Sequence, residues 1–242
     1  MDIDGFWNVI RAARNASSGP HGEAFAEALV DQLAGLSQEE ILAYQERFDE
    51  VHGVVYRWDV WAAAYLIGGG CSDDSFMDFR AGLIALGRDW YELAAAQPDD
   101  LADNPAVIEA ATRGDDYVIF DEGVNYAASR AFERLTGDAD AFHEAWKRHR
   151  AGQDLDTALE SDMGEDFDFD DADEMHRRLP RLAALYHGAF LGNLLGWGSS
   201  VGHPRRGHHE RGIQGVRRQH DRGSGGPGGR SEAARDVHRI GR

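Results

Sequence analysis

One stretch gathers several chemistry-bearing side chains: Gly68-Gly69-Gly70-Cys71-Ser72-Asp73-Asp74. Three consecutive glycines permit positive φ and a close backbone approach. A thiol, a hydroxyl and two carboxylates follow, at the expected start of a helix. The positive end of a helix lowers a thiol's pKa and makes the thiolate nucleophilic. The adjacent carboxylates oppose that shift, because they disfavour another negative charge. Asp73, Asp74 and Asp78 are also oxygen donors of the kind that Mg²⁺ or Ca²⁺ takes. The same residues have a plainer reading. Ser72 or Asp73 caps the helix, the glycines end the one before, and Cys71 packs as a small apolar group.

Arg80 is the second candidate. It follows Phe76 by four residues and Asp73 by seven, so it lies on or beside the apolar face of the same helix. A partly buried guanidinium needs a carboxylate, and Asp59 and Asp73 are the expected partners. The functional alternative is an anion-binding group in a pocket. With Trp61, the candidate binding residues are Cys71, Ser72, Asp73, Asp74, Arg80, Asp59 and Trp61. No catalytic residue, metal-ligand set or cofactor is assigned.

The run Asp166-Phe167-Asp168-Phe169-Asp170-Asp171-Ala172-Asp173-Glu174 begins like a calcium loop. An EF-hand from Asp166 needs Gly at position six and Glu at twelve, where this chain has Asp171 and Arg177. The expected role is an acidic approach to the last helix, anchored by its two phenylalanines. His143-Glu144 is followed by His149, two residues too far for the H-E-x-x-H zinc motif. Gly198-Ser199-Ser200-Val201-Gly202 matches a nucleophile elbow, and Gly223 to Gly228 matches G-x-G-x-x-G. Both motifs work only at a strand-to-helix turn, and neither match follows a strand-like run.

The elements that must position these groups are helices. Phe6, Val9, Ile10 and Ala13 recur at helical spacing, as do Phe25, Ala28, Leu29 and Leu33. Ser37 and Glu40 form a capping box before a third helix. Trp58, Trp61, Ala62 and Tyr65 predict a fourth helix, apolar nearly all round and hence central in the core. Phe76, Phe79, Leu83 and Leu86 predict a fifth, closed by Gly87, and Asp89 is expected to cap the sixth. Residues 98–120 read as a loop with short helical turns. Tyr117 to Phe120 alone hints at strand period. Two further helices follow, one carrying Phe132 and one that Asp138 caps, then a last one over about 173–187, broken at Pro180. The fold class is all-α: a single multi-helix domain with a low-complexity tail.

Composition narrows the function. The 242 residues carry 43 acidic and 25 basic side chains, a net charge of −18. Phosphate contacts need clustered Lys and Arg, so general nucleic-acid binding and docking on anionic membranes are excluded. The longest unbroken apolar run, Val60 to Ile67, is far too short to span a bilayer. The N-terminus lacks a signal-peptide pattern, and the lone Cys71 cannot form an intrachain disulfide, so the expected location is cytoplasmic. Residues 1–188 hold 15 basic against 39 acidic side chains, a net of −24. Residues 189–242 hold 10 against 4, a net of +6, with 13 of the 29 glycines. That tail has too little apolar surface to offset chain entropy and is expected to be disordered. It is either a native extension or a shifted reading frame of a GC-rich gene.

The string Trp61-Ala62-Ala63-Ala64-Tyr65-Leu66-Ile67, then Gly69-Gly70-Cys71-Ser72-Asp73-Asp74 and Phe76-Met77-Asp78-Phe79-Arg80, resembles the bacterial domain-of-unknown-function family numbered 4240. Phe6-Trp7 and Gly87-Arg88-Asp89-Trp90-Tyr91-Glu92, leading to Pro98-Asp99, are similar too. The resemblance covers most of residues 1–135 and extends to Arg178-Leu179-Pro180-Arg181-Leu182. It implies a fold class and a family name, with no activity. Two functions remain. One is a non-catalytic binding or accessory protein whose acidic surface meets a basic protein partner. The other is an enzyme, or a metal- or anion-binding protein, with its site at the Gly-Gly-Cys-Ser-Asp-Asp loop and Arg80.

Overall fold

The computed structural model describes residues 1–19, 22–151 and 162–186. The tail 189–242, its expected disorder, the boundary at Gly188 and both glycine motifs lie outside the described residues.

Among the described residues every regular element is a helix. Helix α1 (Ile3–Ala16) starts where the Asp2 carboxylate accepts the Gly5 amide, and it buries Phe6, Trp7, Ile10 and Ala13. Helix α2 (Glu23–Ala34) packs on α1 and buries Phe25, Leu29 and Leu33. Helix α3 (Gln38–Val54) opens with the expected capping box: Ser37 Oγ accepts the Glu40 amide, and the Glu40 carboxylate accepts the Ser37 amide at 2.9 Å.

Helix α4 (Trp58–Ile67) is central, but not through its aromatic stripe. Val60, Ala62, Ala63, Ala64, Leu66 and Ile67 face the core, while Trp58, Trp61 and Tyr65 are half-buried. Three alanines keep the inward face slim, so neighbouring helices approach closely and the bulky rings turn outward.

Helix α5 (Asp73–Ala85) crosses the chain at Gly82. A Cβ there would lie 1.5 Å from the Ile119 carbonyl oxygen, so only glycine allows this approach. Helix α6 (Arg88–Ala96) begins after Gly87, whose φ of +89° suits glycine alone. Asp89, the expected cap, instead sits inside the first turn, because the positive-φ turn at Gly87 starts the helix earlier.

Residues 98–120 are more ordered than a loop. A 3₁₀ turn (Pro98–Asp103) leads into helix α7 (Pro105–Arg113), which Asn104 caps and Pro105 starts. Tyr117 to Phe120 is a turn, with no strand among the described residues. Helices α8 (Glu122–Asn125) and α9 (Ala127–Thr136) follow. Asp138 holds the Asp140 amide two residues on, and helix α10 (Ala141–Ala151) starts just beyond. Helix α9 packs on α2, α3 and α10, and α8 packs on α5.

Helix α11 (Ala172–Arg178) ends at Leu179, and Pro180 starts helix α12 (residues 180–186), the break expected there. The cap of α12 comes from far along the chain. Asp99, only 3% exposed, accepts the amides of Arg181 (3.1 Å) and Leu182 (2.9 Å). No helix among the described residues is long and apolar enough to cross a membrane.

Candidate functional site

The glycine loop between α4 and α5 is a structural joint. Gly69 and Gly70 take positive φ, and the Trp61 indole Nε1–H donates to the Cys71 carbonyl at 3.0 Å. Ser72, not Asp73, caps α5 by accepting the Ser75 amide at 3.2 Å. Burial pushes the Cys71 thiol up to about 12, the opposite of an activated nucleophile. Asp73 and Asp74 are exposed. No group of three or more His, Cys, Asp or Glu side chains is arranged to hold a metal among the described residues.

Arg80 does not pair with a carboxylate among the described residues. Asp59 is taken by Arg57, which donates Nε at 2.9 Å and Nη2 at 2.7 Å to its two oxygens. Asp73 lies at the opposite end of α5's first turns, in solvent. The Arg80 guanidinium rests instead over the rings of Tyr56 (4.7 Å) and Phe76 (5.0 Å), and its Nη1 donates to the His52 carbonyl at 3.2 Å. Nη1 also lies 3.0 Å from His52 Nδ1, while His52 Nε2 lies 3.1 Å from the Met77 carbonyl. An arginine can only donate, so Nδ1 accepts and the Nε2–H donates: a neutral imidazole. Burial, then the charge of Arg80, pushes His52 down to about 4. Burial alone takes Arg80 down to about 10, and its Nε is buried without a partner. Aromatic faces thus supply what a carboxylate was expected to supply.

Trp61 belongs to an aromatic wall. It stacks on Trp58 (5.3 Å between ring centres) and on Phe76 (4.7 Å). Residues 162–171 lie across that wall as a strap. The Trp58 amide donates to the Met163 carbonyl at 2.9 Å. Phe169 meets Trp58, Trp61 and Tyr65, and the Tyr65 hydroxyl donates to Asp170. The Arg178 guanidinium covers Phe167 at 4.2 Å and pairs with Glu165 and Glu174. The phenylalanines therefore anchor the acidic run, as its sequence suggests.

A second constellation was only partly legible in sequence. Asp74 and Asp78 of α5 share one face with Asp121 and Glu122. The Asp121 amide donates to the Asp78 carbonyl at 3.1 Å, and the buried Asp121 carboxylate accepts the Gly22 amide at 2.8 Å. Asn125 Nδ2 donates to Asp78 at 3.0 Å. Burial, then the charges of Glu122, Asp74 and Asp121, lifts the Asp78 carboxyl to about 6. No Lys or Arg among the described residues forms an ion pair with Asp74, Asp78 or Glu122. A 300 Å³ notch opens here between Glu23, Phe120, Glu122 and Tyr126, with Arg130 at its side. Tyr126 and Tyr117 are exposed, 48% and 62%. Asp78 appeared in sequence only as a possible cation ligand. Asp121 gave no signal, because the turn that aims it is set by contacts with α2 and α5.

No curated protein and no solved structure matches the chain. One family does, described as "Protein of unknown function (DUF4240)", over residues 1–134. The match holds the glycine loop, Arg80 and the acidic face, and it ends before the strap and before the similar string Arg178 to Leu182. More than half of the 242 residues are covered, and the chain belongs to the DUF4240 family.

Proposed function

We propose that this is a cytoplasmic, non-catalytic binding protein whose acidic face docks a basic protein. One observation carries the reading: Asp74, Asp78 and Glu122 crowd together and form no ion pair with a Lys or Arg among the described residues, and the crowding helps to lift Asp78 to about 6. A Lys or Arg from outside relieves that repulsion. Exposed Tyr117 and Tyr126 beside the carboxylates add the aromatic contacts that concentrate binding energy at protein interfaces. The notch at Glu122 has room for one basic side chain.

The test is capture on the immobilised full chain at low and high salt, against a variant carrying Asp74→Asn, Asp78→Asn and Glu122→Gln. A basic protein is expected to be held by the native chain, and to be lost at high salt and on the variant. Equal capture by both chains, or none, removes the reading. A second reading places an anion site at Arg80. It is favoured by a guanidinium that has no carboxylate partner among the described residues. Sulfate protection that Arg80→Gln abolishes is its expected signature, and unchanged protection eliminates it.

A further inference from the structure

A cleft of 580 Å³ lies elsewhere, between α1 and α6. Its walls hold Arg11, Arg14 and Arg88 against two acids, Asp4 and Asp89. A local surplus of positive charge is unusual in a chain of net charge −18. Trp7 and Trp90 supply aromatic surface, Trp90 half-buried.

The arginines are placed as if an anion were to sit among them. Helix α6 starts at Gly87 with no side-chain cap, so its positive end opens on the cleft. Arg14 runs across that end. A Cβ on Gly87 would lie 3.4 Å from both Cδ and Nε of Arg14. A cation over the positive end of a helix is repelled, yet it is held there by a hydrogen bond to the Ala85 carbonyl. Among the described residues neither Arg14 nor Arg11 has a carboxylate partner; Arg11 is held by Asn8 instead. Arg88 is shared between Asp4 (2.7 Å) and Glu92 (2.6 Å). Burial also lowers the pKa of Arg14, the effect of a charge kept from water without a counter-ion.

We propose that this cleft binds a small organic phosphate, its oxyanion between Arg11, Arg14 and the start of α6, and its planar ring on Trp90. Guanidinium groups and free helix amides are the usual donors to phosphate oxygens. The volume falls in the range of small-molecule sites. The indole offers a flat face to a ring. The site is separate from the acidic face and does not depend on it.

Calorimetric titration of the full chain tests this with two pairs of probes: adenosine 5′-monophosphate against adenosine, and phenyl phosphate against phenol. At least one phosphate ester is expected to bind ten-fold or more tightly than its phosphate-free partner. Arg14→Gln is expected to weaken that binding five-fold or more. Arg11 is exposed, so Arg11→Gln folds without difficulty and serves where Arg14→Gln does not. Trp90→Phe separates ring stacking from oxyanion binding, because it should weaken the ester without changing the affinity for inorganic phosphate. The proposal falls if neither ester binds at millimolar concentration, if phosphate gives no advantage, or if Arg11→Gln and Arg14→Gln leave the affinity unchanged.

Discussion

His52 and Asp78 pull stability in opposite directions as pH changes. His52 has a folded pKa of about 4, below its ordinary 6.5. Between those values the unfolded chain binds more protons, so the stability His52 contributes is present above 6.5 and is lost as pH falls toward 4. Asp78 has a folded pKa of about 6, above its ordinary 3.8. There the folded chain binds more protons, so stability falls as pH rises from about 4 to 6. A shift of that size is worth about 3 kcal/mol in full, and solvent around this half-buried group reduces it to roughly 1 kcal/mol. Asp78→Asn keeps an oxygen for Asn125 and removes the charge. It is expected to stabilise the chain by roughly 1 kcal/mol at pH 7 and by nearly nothing at pH 4. Urea unfolding at the two pH values reads this directly, and an equal gain at both would contradict the assignment. At this scale the sequence was readable where a role is local. Ser72 caps α5 as its position before Asp73 and Asp74 suggests. The partner of Arg80 was not readable, because it is set by a histidine 28 residues away on another helix.

At the scale of elements, two glycines inside helices should respond in opposite ways to alanine. Gly82 of α5 lies against the Ile119 backbone, with 1.5 Å between an added Cβ and the carbonyl oxygen. Backbone cannot rotate aside as a side chain can. Gly82→Ala is expected to cost about 3 kcal/mol or more by separating α5 from the 117–121 turn. Gly53 of α3 has nothing within 4 Å of such a Cβ. Gly53→Ala is expected to add about 0.5–1 kcal/mol, by removing backbone freedom from the unfolded chain. Thermal melts of the two variants give the comparison, and similar midpoints would refute it. The helices themselves were legible wherever a capping pattern and an apolar stripe agreed, as at Ser37 and Glu40 before α3. Which face of α4 turns inward was not legible, because the helix is apolar nearly all round, and close packing at the centre favours Ala over Trp. Helix α7 was read as a short helical turn in a loop because aspartates flank it on both sides, although Asn104-Pro105 is a sound helix start.

For the whole molecule, charge is the dominant feature. Residues 1–188 carry a net of −24, with acids outnumbering bases more than two to one. Self-repulsion of this kind opposes compaction and is screened by salt. Raising NaCl from 20 to 300 mM is expected to raise the melting temperature by about 3 °C. A fall with salt would show that attractive pairs such as Arg130–Glu27 and Arg134–Asp31 outweigh the repulsion.

The strap has a consequence for the order of assembly. Tyr65 and Asp170 are 105 residues apart in the chain. Closing a loop of that length against random-coil entropy costs about 4 kcal/mol. A few ring contacts, one backbone hydrogen bond and one hydroxyl bond cannot offset this before the intervening helices have shortened the path. The strap therefore docks last and leaves first. A partly opened state follows, in which the core of α1 to α9 is intact while Trp58 and Trp61 meet water. Two of the six tryptophans are thereby natural optical reporters of that late event, separate from the melting of the core.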